Sequence, residues 1–401
     1  MPLTQLEFLL WFLFTGVSGP AVPIAGPQAS RAEEQLRKAS EAEPPQEQAF
    51  LNLSRFLEKQ KRASESVLVL EQGLRKLPRS AALHEELGIL YASRGKPSLA
   101  AEHFEAALEL NPAGRDLRHN TALARFEQGM EALEARDYEN ARKSLERAAV
   151  LEPKLPRLSF GLGLVYFKMQ DLPSADRQLE LAAVQEPDDW ETHFNLGLVR
   201  SALSHWRDAT ASFRRAVALN QDFAPAWLYL GRALHEDNRS EESLQYFRKS
   251  LELEPRLSLA HFHLGFALKG LARYDEAVPE LMKETEITPQ YPYSYLELGI
   301  IALEQGRVEQ ADRFLEQAIR LDPGIGRVHY FLGKSRFEQG RTEEAAAALT
   351  EDVRLAPNHM EGHFLLARAY RKLGKSEESR RELAAYQALA AAQRGMAREK
   401  P

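Results

Sequence analysis

Residues 292–325 read PYSYLELGIIALEQGRVEQADRFLEQAIRLDPGI. Apolar residues recur every three or four positions on both sides of LEQGRV, so the stretch encodes two amphipathic helices joined by a tight turn. Pro323 ends the second helix, because proline has no amide to donate and its ring clashes with the preceding turn.

The same ending recurs along the chain as LRKLP, LELNP, AVLEP, AVQEP, LELEP, TEITP, IRLDP and VRLAP. Its prolines are Pro78, Pro112, Pro153, Pro187, Pro255, Pro289, Pro323 and Pro357, separated by 34, 41, 34, 68, 34, 34 and 34 residues. The step of 68 is two periods, with Gln221 in the place of a proline. Frames therefore start at 47, 81, 122, 156, 190, 224, 258, 292, 326 and 360. Within them position 7 is usually Leu (Leu87, Leu230, Leu298), position 8 Gly (Gly88, Gly231, Gly299) and position 20 Ala (Ala100, Ala209, Ala311). Position 24 is bulky and apolar, as in Phe104, Phe247 and Leu315. Small residues at 8 and 20 let the two helices of a pair approach closely, and the residues at 7 and 24 fill the seam. One pair cannot bury its apolar face alone, so neighbours must stack.

A 34-residue helix pair with this signature resembles the tetratricopeptide-repeat family over residues 47–391. The resemblance implies an all-α fold, a right-handed superhelix or α-solenoid of about ten helix-turn-helix repeats. The first frame departs from the pattern with Ser54 and Ser66 at the small positions, and the last lacks its proline and has Ala367 for Gly, as suits a terminal capping helix. The 41-residue step leaves seven extra residues near AGRDLRHN, 113–120. Seven is close to two helical turns, so a longer first helix in the frame from 122 accommodates them in phase.

The resemblance further implies a concave surface lined by first helices, with inner positions near 2, 5, 9, 12 and 13, and partners that are proteins or peptides. Position 5 is Phe126, Phe160, Phe194, Leu228, Phe262, Leu296, Tyr330 and Phe364, an aromatic ladder that either packs neighbouring repeats or anchors a partner. Inner positions turn basic toward the C-terminal end, at Lys334, Arg368, Arg371 and Lys372. Residues 360–401 hold nine Lys or Arg against five Glu. This end either receives an acidic segment or a C-terminal carboxylate, or is a solvated helix end complementing the macrodipole. No carboxylate-clamp pattern of Lys and Asn is recognisable, and an asparagine ladder at position 6 is interrupted by Glu86, Gly161, Tyr229, His263 and Glu297.

Nothing in the chain spells a catalytic, cofactor or metal site. His84, His193, His261, His329 and His363 all fall at position 4, a repeat-packing position. His359 and His363 share a helical face but lack a third ligand, and Gly163 of FGLGLVYF is already the small residue of its repeat. The repeats fill residues 47–391 and leave no stretch for a catalytic domain.

The net charge is −6 and there are no cysteines, which argues against nucleic acid as a partner and excludes disulfides and thiol chemistry. LEFLLWFLF at residues 6–14, followed by small residues, reads as a secretory signal over 1–25, with an uncleaved membrane anchor and a cytoplasmic start as the other readings. Residues 26–46 read as a polar, partly helical linker and 392–401 as a C-terminal tail. The expectation is a non-enzymatic interaction scaffold, exported and periplasmic or secreted. An accessory subunit of an envelope assembly or secretion complex, or an enzyme with a site grafted on the groove, are the alternatives.

Overall fold

The computed structural model describes residues 27–398, and every regular element among them is an α-helix. The chain forms two compact units, residues 1–185 and 186–401. In the first, α1 (Pro27–Glu41) precedes four pairs: α2 (Glu47–Lys59) with α3 (Ala63–Lys76), α4 (Ala81–Ala92) with α5 (Pro97–Leu110), α6 (Arg115–Glu134) with α7 (Tyr138–Leu151), and α8 (Leu158–Lys168) with α9 (Leu172–Gln185). The second holds six pairs. These are α10 (Trp190–Ala202) with α11 (Trp206–Leu219), α12 (Ala224–Glu236) with α13 (Ser240–Leu253), and α14 (Ala260–Gly270) with α15 (Tyr274–Ile287). They continue as α16 (Pro292–Glu304) with α17 (Val308–Leu321), α18 (Gly326–Glu338) with α19 (Thr342–Leu355), and α20 (Met360–Lys372) with α21 (Ser376–Arg398).

The seam within each pair is built as the spacing requires. A β-carbon on Gly231 would lie 2.6 Å from Phe247 Cε1, and on Gly299 it would lie 2.7 Å from Leu315 Cδ2. Position 8 is thus the flat surface on which the bulky residue at 24 rests. Ala100, Ala209 and Ala311 at position 20 are completely buried beside it. The irregular first frame solves the same problem with polarity: Ser54 and Ser66 occupy the small positions, and their buried hydroxyls hydrogen-bond at 2.8 Å.

Each pair turns through one residue with left-handed backbone at position 15. Lys61, Arg136, Gln170, Ser204, Asn238 and Ala272 take this conformation alongside Gly95, Gly306, Gly340 and Gly374. The next amide then reaches back five residues, as from Arg307 to the Ala302 carbonyl at 2.8 Å, which satisfies a carbonyl at the helix end.

The seven extra residues lengthen the first helix of their pair: α6 has 20 residues and runs through the insertion. The stretch read as a polar linker is a docked helix over α1, because Leu36 packs on the core of the first pair and Glu33 pairs with Arg62 at 2.6 Å. At the other end α21 continues to Arg398, past the expected tail boundary, and Ser379 is its one buried residue among those described. The expected signal or anchor, residues 1–25, lies outside the described residues, among which no helix is long and apolar enough to cross a membrane.

Candidate partner-binding clefts

Because the period is constant, the first helices of successive pairs present the same positions to the same side. In the second unit α14, α16, α18 and α20 are consecutive neighbours of this kind. Two cavities open between them, each of about 520 Å³.

The C-terminal cleft lies between α18 and α20, closed by Tyr386 of α21. It brings together four of the residues singled out in the sequence, Tyr330, Lys334, Phe364 and Arg368. The Arg368 guanidinium stands 5.1 Å from the Phe337 ring centre and 5.9 Å from that of Phe364. Lys372 lies 5.5 Å from the Phe337 ring centre, while Arg371 is exposed and does not line the cleft. Glu338 and Glu361 also line the cleft. Tyr330 meets His359 edge-on at 4.8 Å, and His359 in turn bonds the fully buried Asp352 at 2.7 Å. That chain of contacts holds the Tyr330 ring in place.

The second cavity is bordered by α12, α14, α16 and the start of α18. Phe262, Phe266, Tyr293 and Leu296 make it apolar, and Arg232 and Arg327 add two guanidinium groups. His263 rests between Phe247 and Phe262, with ring centres 6.1 and 5.3 Å away. Burial, reinforced by the charges of Arg232 and His235, pushes its pKa down to about 3, so the ring is neutral at physiological pH. Burial also lowers the pKa of His235. Lys269 and the buried Glu297 form an ion pair at the edge. Sequence reading missed Arg232, His235, Tyr293 and Arg327, although they occupy positions 9, 12, 2 and 2 of their frames. Applying the inner-position rule to every frame, rather than to the basic end alone, finds them.

Several cations of this unit meet carboxylates: Arg214 with Glu242 at 2.8 Å, Arg248 with Glu276 at 3.2 Å and Arg273 with Glu276 at 2.7 Å on second helices and their turns, and Arg336 of the first helix α18 with Glu316 at 2.8 Å. On the inner side Arg232, Arg327, Lys334, Arg368, Arg371 and Lys372 have no carboxylate partner among the described residues. Four of these six lie over aromatic rings instead, Arg232 at 5.1 Å from Tyr229 and Arg327 at 5.7 Å from Phe331 among them. Lys269 is the exception.

The aromatic ladder divides by exposure. Phe160 and Phe262 are buried, as are Leu228 and Leu296, while Phe126, Phe194 and Tyr330 are half-buried. Phe194 packs edge-on against Phe223 and Tyr229 at 5.2 and 5.7 Å. Phe364 is 42% exposed, the one open rung. The position-4 histidines hold repeats together: His193, His261, His329 and His363 each bond the carbonyl of the proline six residues earlier. The second ring nitrogen of His261 meets Glu280 and that of His363 meets Glu382, which leaves neither ring free for a ligand. In the first unit an open cavity of about 930 Å³ lies beside α6, where Glu105 is shared by Arg125 and Arg147 at 3.1 and 2.8 Å. Those charges satisfy one another.

The profile of the tetratricopeptide-repeat family matches residues 64–115, 85–135, 126–191, 194–258, 296–359 and 332–395. No curated protein matches the chain in sequence. Among solved structures, YrrB, described as a TPR protein with an unusual peptide-binding site, is 20% identical with a TM-score of 0.40, covering 46% of this chain and 95% of its own. A tetratricopeptide repeat protein from Parabacteroides merdae is 18% identical (TM-score 0.49, 62% of this chain and 98% of its own). PilW, a type IV pilus biogenesis factor, is 21% identical (TM-score 0.48, 53% and 98%). At these identities the likeness concerns the fold alone. The profile, however, recurs over most of the sequence, and the chain belongs to the tetratricopeptide-repeat family.

Proposed function

We propose that this protein is a non-enzymatic scaffold of the cell envelope that holds an acidic, partly apolar segment of a partner protein in the cleft between α18 and α20. The observation that carries the reading is the set of inner cations without carboxylate partners, four of the six lying over exposed or half-buried rings. An arginine already seated on an aromatic face loses little freedom on binding, and it offers a planar fork to an incoming carboxylate. Lys334 and Arg368, with Lys372 beside Phe337, outnumber the lining carboxylates Glu338 and Glu361, and Phe364 and Tyr386 supply an apolar wall. The envelope location is supported by the LEFLLWFLF run and the small residues after it.

The test is a photo-crosslinking amino acid placed at position 364 of the chain produced in its own cells, with mass spectrometry of the adducts and of the mature N-terminus. The reading expects adducts to an acidic segment of an envelope protein, lost when Lys334→Gln and Arg368→Gln are combined, and a mature start near residues 20–26. Adducts indifferent to those substitutions, or nucleic acid recovered in place of protein, would overturn the binding role. An intact Met1 with cytoplasmic partners would overturn the location.

A further inference from the structure

The cavity bordered by α12, α14, α16 and the start of α18 has a composition of its own. Its apolar lining, Phe262, Phe266, Tyr293 and Leu296, can desolvate one large side chain. Arg232 and Arg327 come from the first and last of the four bordering helices, and neither has a carboxylate partner among the described residues. Neutral His263 makes no hydrogen bond within the described residues, so it keeps both a donor and an acceptor for a ligand backbone. Two carboxylates also line the cavity, but Glu297 is taken by Lys269, so the two guanidinium groups outweigh Glu236 and, beside a neutral imidazole, suit an anion.

We infer that this cavity is a second, separate recognition pocket, taking an apolar side chain flanked by a carboxylate, and that one partner segment fills it together with the C-terminal cleft. The inference builds on the binding role proposed for that cleft. Its geometry sets a spacing. Two repeats separate the pocket, centred on α14 and α16, from the cleft, centred on α18 and α20. Packed helices lie about 8–10 Å apart, so the two sites stand roughly 20 Å apart. An extended chain advances about 3.3 Å per residue and bridges them with about six residues. Binding at one site then raises the effective concentration at the other, which multiplies weak affinities without new contacts.

A random 16-residue peptide library displayed on phage and selected on the immobilised full chain tests this. Three proteins are compared: the natural chain, a variant with Arg232→Gln and Arg327→Gln, and a variant with Lys334→Gln and Arg368→Gln. Peptides enriched on the natural chain are expected to carry two apolar–acidic motifs about five to seven residues apart. Each variant should select only one of them. A doubly anchored peptide should bind either variant about ten- to a hundredfold more weakly by fluorescence anisotropy, with thermal melting unchanged. Single-motif peptides whose affinity falls only in the Lys334 and Arg368 variant would overturn the pocket and leave the cleft standing. No enrichment, or enrichment indifferent to both pairs of substitutions, would overturn the cleft reading and the pocket with it.

Discussion

The indole nitrogen of Trp227 donates a 2.8 Å hydrogen bond to the backbone carbonyl of Gln221. Gln221 stands where other repeats have proline, and Trp227 stands where they have histidine. Two unrelated side chains thus perform one task, satisfying the carbonyl left open where one repeat hands over to the next. Trp227→Phe keeps an aromatic ring and removes the donor, so it should cost about 1 kcal/mol in urea denaturation. Trp227→His restores a donor at the price of ring area and should fall between the two.

The close approach of Gly231 and Phe247 fixes a second expectation. A methyl group at position 231 would lie 2.6 Å from a ring that is 1% exposed, so either the ring or the helix must shift. Gly231→Ala should cost about 1–3 kcal/mol, the range for overpacking. Gly270→Ala is the control, because apart from its chain neighbours and its own helix backbone no atom lies within 4 Å of the added carbon, and alanine favours helix. It should leave the melting temperature unchanged or slightly raised.

The left-handed turn residue gives the opposite sign at two sites in the same position. Ala272 holds φ at 58°, where its β-carbon crowds the following carbonyl, and Gly306 holds 73° without that penalty. Ala272→Gly is expected to stabilise the chain by about 0.5–1 kcal/mol, and Gly306→Ala to destabilise it by about 1 kcal/mol. Thermal melts of the two variants side by side decide it.

The helix pairs were legible in the sequence because their determinants repeat: Gly231 against Phe247 and Gly299 against Leu315 are the same contact two repeats apart. The turns themselves are legible from the period, but their left-handed residue is not except where it is glycine, since Lys61 or Gln170 in that conformation carries no local signature. The clefts were half legible. Tyr330, Lys334, Phe364 and Arg368 fall at inner positions and do converge, whereas the Arg232 pocket draws on four helices and depends on which side chains leave space between them. At α1 composition allows a helix but does not show that it docks, which rests on Leu36 and on the pairs Glu33–Arg62 and Arg37–Glu65.

His263 should leave a trace in the pH dependence of stability. Burial and the charges of Arg232 and His235 hold its folded pKa near 3, below the ordinary value of 6.5. The unfolded chain therefore binds the proton first, so stability is full above about 6.5 and falls as pH drops toward 3. Glu280 and Glu105, whose carboxyls are held below the usual range by His261 and Arg147, lose their contributions only in more acid solution. Between pH 7.5 and 5 the natural chain should lose melting temperature, and His263→Gln should flatten that loss. Parallel curves would mean the ring is protonated as easily folded as unfolded.

Two rungs of the aromatic ladder separate packing from recognition. Phe262 is 7% exposed and sits in the core shared by α14 and its neighbours, so Phe262→Ala should cost about 3–5 kcal/mol. Phe364 is 42% exposed, with Tyr386 5.2 Å from its ring and Arg368 over its face. Truncating it removes little buried area, and Phe364→Ala should change stability by less than about 1 kcal/mol. It also removes the open apolar wall beside Lys334 and Arg368, and anchors in such positions dominate binding energy. A peptide selected on the natural chain should therefore bind Phe364→Ala at least about tenfold more weakly, while far-ultraviolet circular dichroism stays the same. Unchanged affinity would assign Phe364 to the packing of α20 on α21 and move recognition away from the cleft.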